Sequence, residues 1–214
     1  MVLLSPSVSA LRKLLGICEG YAVAHGLRYN VQKSEFLVFK PKGGTVGTVP
    51  AVYLYGTELK RTSQFKYLGH WVTEDLSDGV DIERERRSMA LAVRCNMLAR
   101  RFARCTRQVK ITLFKAYCQS FYTCSLWVRH STSTLNTLRV QYNNAFRMLM
   151  GLPRYCSASG MLTEARTDGF HAILRKRAAS LMRRVCASPN SLLRVVASRL
   201  DCPFQYHWVK LHVR

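Results

Sequence analysis

Acidic side chains are scarce in this chain relative to basic ones. Twelve Asp and Glu stand against 33 Lys and Arg, a formal net charge of +21 over 214 residues. Metal-ligand spacing is missing too. The eight cysteines include no C-x-x-C pair, and the one histidine pair at zinc-finger spacing, His207 with His212, has no cysteine pair near it. A zinc site is therefore not expected. No uninterrupted run of 18 apolar residues occurs, so a membrane-spanning helix is not expected. Met1-Val2-Leu3-Leu4 lacks the basic stretch of a secretory leader. The thiols are then expected to stay reduced, in an intracellular protein of the nucleus or cytoplasm. Neither an internal repeat nor a low-complexity tract is visible.

What is present is arginine, and it is unevenly spread. Residues 1–81 carry 9 basic and 7 acidic groups, whereas residues 82–214 carry 24 basic and 5 acidic, a net +19. The planar guanidinium pairs two-point with phosphate oxygens. A segment this basic is expected to attract polyanions by counterion release, with affinity falling steeply in salt. The alternative is a solvated basic face on a helical domain. Apolar residues make up 48% of the chain, enough for a core in one large domain or two small ones.

Hydrophobic spacing divides the chain into an α+β part and a helical part. Val2 to Leu4 reads as a short strand. Ser5-Pro6 reads as a helix start, and Val8, Leu11, Leu15, Cys18 and Ala22 recur at helical spacing until Gly26. Strands are expected at Glu35 to Lys40, at Val52 to Tyr55 with Thr57 to Lys60 around Gly56, and at Phe65 to Val72. The acidic first turns at Asp81, Glu83 and Glu85 favour a helix start, with an apolar stripe through Ile82, Met89, Val93, Met97 and Phe102. Further helices are expected over Gln108–Val128, Ser133–Met150, Ala158–Ala165, Phe170–Ala187 and Ser191–Arg199, the second of these ending at Gly151-Leu152-Pro153.

Three constellations carry chemistry. Asn30-Val31-Gln32-Lys33 places a lysine in a turn between a helix and a strand. A lysine ammonium in such a turn is able to neutralise a charged leaving group in phosphoryl transfer, or simply sits on the surface. Phe65-Lys66-Tyr67-Leu68-Gly69-His70-Trp71 combines a charge, aromatic rings and a glycine that lets backbone approach a sugar-phosphate chain. The series Arg84, Arg86, Arg87, Arg94, Arg100, Arg101, Arg104, Arg107 and Lys110 lies in the helical part, with Arg87, Arg94 and Arg101 seven residues apart and so on one helical face. A further basic cluster is Arg175-Lys176-Arg177 with Arg183-Arg184.

In order and spacing, Val2-Leu3-Leu4, the Gly26 to Ser34 segment and Phe65 to Gly69 resemble the last three palm motifs of non-LTR (LINE-type) retrotransposon reverse transcriptases. Tyr142 to Arg147, leading to Gly151-Leu152-Pro153-Arg154-Tyr155-Cys156-Ser157, resembles the region after the thumb in the same family. The resemblance spans residues 1 to about 187. It implies a small partial palm of antiparallel strands plus one helix over 1–77, an all-helical thumb and post-thumb region over 78–187, and a C-terminal helical extension over 188–214.

It also implies roles. Lys33 takes the family's general-acid position. Lys66, Tyr67, Gly69, Arg84, Arg87, Arg94, Arg100, Arg101, Arg104 and Lys110 take nucleic-acid-binding positions against RNA or an RNA–DNA duplex. The parent family uses magnesium held by paired aspartates that stand directly before the Val-Leu-Leu strand, and these would precede residue 1. The expectation for this chain is therefore a truncated RNA-directed DNA polymerase, inactive alone, with no metal or cofactor, no membrane and no small-molecule substrate of its own. The rival reading is a repurposed non-enzymatic nucleic-acid-binding or interaction module.

Overall fold

The computed structural model describes every residue except 42, 90–99, 200 and 214. The fold is α+β, dominated by helix, with short strands in small sheets. It divides into two compact units, residues 1–67 with 71–76, and residues 68–70 with 77–214.

The first unit is built on α1, Val8–Ala24. Its N-cap is Ser7, whose hydroxyl accepts the Ala10 N–H at 3.1 Å. The helix thus starts two residues later than Ser5-Pro6 suggests. Gly26, at φ +63°, ends it: the Leu27 N–H reaches the Ala22 carbonyl at 2.8 Å and Gly26 N–H the Val23 carbonyl at 3.2 Å, the paired bonds of a Schellman stop. Residues 2–4 form no strand. Leu3 instead packs beside Val8 and Leu11 against the buried cluster of Leu15, Val52, Leu54 and Leu59. The other flank of α1 is apolar as well but open, with Ile17, Tyr21 and Val23 exposed.

The strands are shorter than the sequence suggests and not all antiparallel. β1 (Glu35–Phe36) pairs in parallel with β4 (Lys60–Arg61), while β2 (Tyr53–Leu54) pairs antiparallel with β3 (Thr57–Glu58). The parallel pair corrects the antiparallel expectation: its partners are far apart in sequence, and no turn residue announces them. β5 (Gln64–Tyr67) and β6 (His70–Thr73) form a third two-stranded sheet. Phe65 to Val72 is thus a hairpin rather than one strand.

Both two-residue turns, Tyr55-Gly56 and Leu68-Gly69, hold positive φ at both positions, the type I′ geometry that matches strand twist. Leu68 sits there at φ +46° with its side chain in solvent. A leucine gains nothing in that conformation, whereas asparagine tolerates it. Leu68→Asn is expected to raise stability by about 1 kcal/mol, read as a higher urea midpoint with unchanged slope.

The second unit is helical. α2 (Gly79–Met89) packs on α4 (Thr132–Met150), which also packs on α3 (Arg107–Cys118). The chain then runs through α5 (Ala158–Glu164), α6 (Phe170–Cys186), α7 (Ser191–Ser198) and α8 (Pro203–Val213). The expected helix from Gln108 to Val128 stops at Cys118, and Cys124–Leu126 is a separate 3-10 turn. Gly151, at φ +68°, closes α4 with the same Schellman pair, Leu152 N–H to Arg147 and Gly151 N–H to Met148.

The core is aromatic: Phe114, Phe121, Tyr142, Phe146 and Phe170 are all buried, and Phe114 meets Phe146 edge-on at 4.9 Å. Trp208 of α8 is buried with Ala178 and Val185 of α6 and donates to the Ser125 carbonyl at 2.8 Å. Among the described residues no helix is long and apolar enough to cross a membrane.

Candidate nucleic-acid interface

The basic residues of the second unit fall into two populations. The first is tied into carboxylates. Arg84 is only a quarter exposed, with its Nε on Asp81 at 2.9 Å and an Nη on Glu85 at 2.9 Å. Arg86 and Arg87 both reach Glu83, at 2.6 and 3.0 Å, and hold that carboxyl well below its ordinary range. Arg107 binds Glu164, Lys176 binds Asp168 and Arg199 binds Asp201, each at 2.6 Å. These pairs take up all five carboxylates of residues 82–214.

The second population faces solvent. Arg100, Arg101 and Arg104 are exposed, and residues 100 and 101 are helical. Arg154, Arg166, Arg177, Arg183 and Arg184 are exposed as well. Of the positions expected to grip nucleic acid, Arg100, Arg101 and Arg104 thus present guanidiniums to water, Arg84 faces inward, and Arg87 is exposed but bridged to Glu83. Lys110 is half-buried on α3, and Arg94 lies outside the described residues.

In the first unit Lys33 is exposed at the end of a 3-10 turn, Val31–Lys33, whose N-cap Asn30 accepts the Lys33 N–H at 3.1 Å. Asn30 therefore fixes the lysine's backbone, while the lysine side chain is exposed. Lys66 and Tyr67 are exposed on β5. Gly69 belongs to the second unit and lies against the Tyr122 ring: a Cβ there would sit 3.6 Å from it. That glycine is required by its φ of +87° more than by the space around it.

One polar centre was not legible in the sequence. Asp81 is fully buried. Its Oδ2 accepts from Thr123 Oγ1 at 2.6 Å and Trp127 Nε1 at 2.8 Å and lies 3.1 Å from His70 Nδ1, while its Oδ1 accepts from Arg84. Burial alone would raise this carboxyl's pKa; the hydrogen bonds from His70, Thr123, Trp127 and Arg84 outweigh burial and hold it far below the ordinary value.

Asp78 is buried one turn earlier and accepts the Val128 and Arg129 N–H groups at 2.7 and 2.6 Å. Here burial dominates and the pKa is raised. Neither carboxylate suits a magnesium ion. Asp81 Oδ2 is crowded by three side-chain partners and Asp78 Oδ2 by two backbone donors, so their lone pairs converge on protein rather than on a shared point. Among the described residues no group of three or more His, Cys, Asp or Glu side chains is placed to hold a metal ion.

Compared with family models, with curated proteins and with solved structures, the chain finds no match.

Proposed function

We propose that the chain binds the phosphate backbone of RNA or an RNA–DNA duplex, and that it is a palm-and-thumb piece of a non-LTR reverse transcriptase that does not polymerise alone. The observation that carries this reading is the state of the carboxylates. In residues 82–214 every acidic side chain is already in an ion pair, while Arg100, Arg101 and Arg104, with Arg154, Arg166, Arg177, Arg183 and Arg184, are exposed and take part in none of these pairs. Charge left over in this way attracts an external polyanion. Backbone contacts of this kind hold a duplex without reading its bases. The exposed Lys33, Lys66 and Tyr67 support the ancestry, since they stand at the family's general-acid and primer-grip positions.

The test is a filter-binding series with a short RNA–DNA duplex. If Arg100, Arg101 and Arg104 alone neutralise three phosphates, affinity falls roughly 40-fold between 50 and 200 mM salt. Reversing all three to glutamate should lower the slope of log affinity against log salt by about three. A flat response overturns the proposal, and primer extension by the isolated chain overturns its non-polymerising part.

The rival reading, a non-enzymatic interaction module, is favoured by α7, a short amphipathic helix with no buried residue and with Leu192 and Val195 more than half exposed. Duplex affinity that is weak and independent of salt would support it.

A further inference from the structure

A cavity of about 660 Å³ opens in the second unit, well away in sequence from the arginine series. Three helices line it, each with residues one turn apart: Leu135, Asn136 and Arg139 of α4, His171, Leu174 and Arg175 of α6, and His207, Lys210 and Leu211 of α8. Cys124, Trp127 and His130, from the segment leading into α4, and Thr132 at its first position complete the wall. Each helix thus brings one permanent cation, and the lining contains no carboxylate. The floor is apolar, from Trp127 and the three leucines. Arg139 is steadied by Asn136, whose Oδ1 accepts its Nε–H at 2.8 Å. His130 and His207 meet edge to face at 6.0 Å, and His130 Nδ1 is buried with no hydrogen-bond partner.

A cavity of this size lies within the range of small-molecule sites and is too large for a lone phosphate. Three cations without a counter-charge call for a dianion, and the leucine floor with Asn136 and Thr132 at its edge suits a flat heterocycle with polar rims. We infer that this cavity binds a nucleoside 5′-monophosphate group, as a free nucleotide or as the phosphorylated 5′ end of a strand, with Arg139, Arg175 and Lys210 on the phosphate.

The histidines fit this role. Burial pushes His130, His171 and His207 toward the neutral form, with Arg139 and Arg175 adding to the effect at His171, and His130 and Lys210 adding to it at His207; Asp78 opposes it at His130. Neutral imidazoles donate and accept without adding charge, and a bound dianion would draw protons back onto them. The sequence motifs anticipate no small ligand; the convergence of three helices creates the place for one.

The experiment is calorimetric titration of the full chain with 5′-AMP, adenosine, inorganic phosphate, and a tetranucleotide with and without a 5′-phosphate. Saturable one-to-one binding of 5′-AMP is expected, at least tenfold tighter than adenosine or phosphate. Arg175→Ala and Lys210→Ala, two substitutions on different helices at side chains outside the core, should each weaken it at least tenfold with unchanged thermal unfolding.

A preference for the 5′-phosphorylated tetranucleotide over its hydroxyl counterpart identifies a strand end as the source; binding of 5′-AMP with no such preference identifies the free nucleotide. Equal affinity for adenosine and 5′-AMP, or no response to either substitution in folded protein, overturns the inference. The inference stands apart from duplex binding: glutamates at positions 100, 101 and 104 should leave 5′-AMP affinity within about twofold, and loss of duplex binding with 5′-AMP binding intact refutes the duplex proposal alone.

Discussion

Replacing Asp81 by alanine is expected to cost about 3–5 kcal/mol of unfolding free energy, read as a large drop in the urea midpoint at pH 7. The carboxylate is fully buried and ties four side chains from three separate stretches of chain, His70, Arg84, Thr123 and Trp127. Truncation leaves the Arg84 guanidinium with only Glu85, and strands the Trp127 N–H and the Thr123 hydroxyl in a dry interior. Each abandoned donor then carries its full desolvation cost. A typical domain is stable by about 5–15 kcal/mol, so the variant approaches the limit of folding.

The same residue sets an acid limit. Its folded pKa lies below the unfolded value of about 3.9. The unfolded state therefore takes up the proton first as pH falls. The stabilisation is fully present above roughly pH 5 and is lost on descent toward the folded pKa. Asp78 acts with the opposite sign, because its folded pKa is raised: its ionisation works against the fold at neutral pH. Asp81→Asn should accordingly flatten the decline of stability between about pH 5 and pH 2.5, whereas Asp78→Asn should leave that limb in place.

Phe146→Ala is expected to cost about 3–5 kcal/mol, measured by the same urea titration. The ring is fully buried on α4, edge-on to Phe114 of α3 at 4.9 Å, within a cluster that continues through Tyr142 to Phe121 and Phe170. Its loss removes both the transferred area and the quadrupole contact, and α4, stopped by the Schellman turn at Gly151, has little freedom to collapse into the space. If the cost proves below about 1 kcal/mol, α3 and α4 do not share the tightly packed core described here.

The helices were legible because their signals are local. Thr132–Met150, Ala158–Glu164, Phe170–Cys186 and Ser191–Ser198 lie within a residue or two of the spans that periodicity and the Gly151 stop suggest. Pro203, at the first position of α8, is a local signal of the same kind. The strands were less legible. Alternation runs straight through the two-residue turn at Leu68-Gly69, because such a turn does not interrupt a period of two. Val2 to Leu4 has the composition of a strand but pairs with no strand among the described residues. The parallel register of Glu35 with Lys60 depends on a fold that brings distant segments together.

The site divides the same way. Arg87 lies four residues from Glu83, and Arg84 three from Asp81, a spacing that allows ion pairs, although the resemblance assigns both arginines to nucleic acid. The burial of Asp81 beneath Thr123 and Trp127, and the meeting of His130, His171 and His207 at one cavity, are tertiary facts that no window of sequence contains.

With its negative side chains fully engaged, the helical unit has no internal reserve against its own repulsion. Dissolved ions therefore act on it in two opposed directions. They shield cation from cation and so favour the compact form, while they loosen whatever polyanion has been captured. The protein should keep best in brine, whereas the proposed polyanion binding should be strongest at low salt. On the proposed function, a bound strand would act as a counterion, supplying from outside the compaction that the unit's own composition withholds.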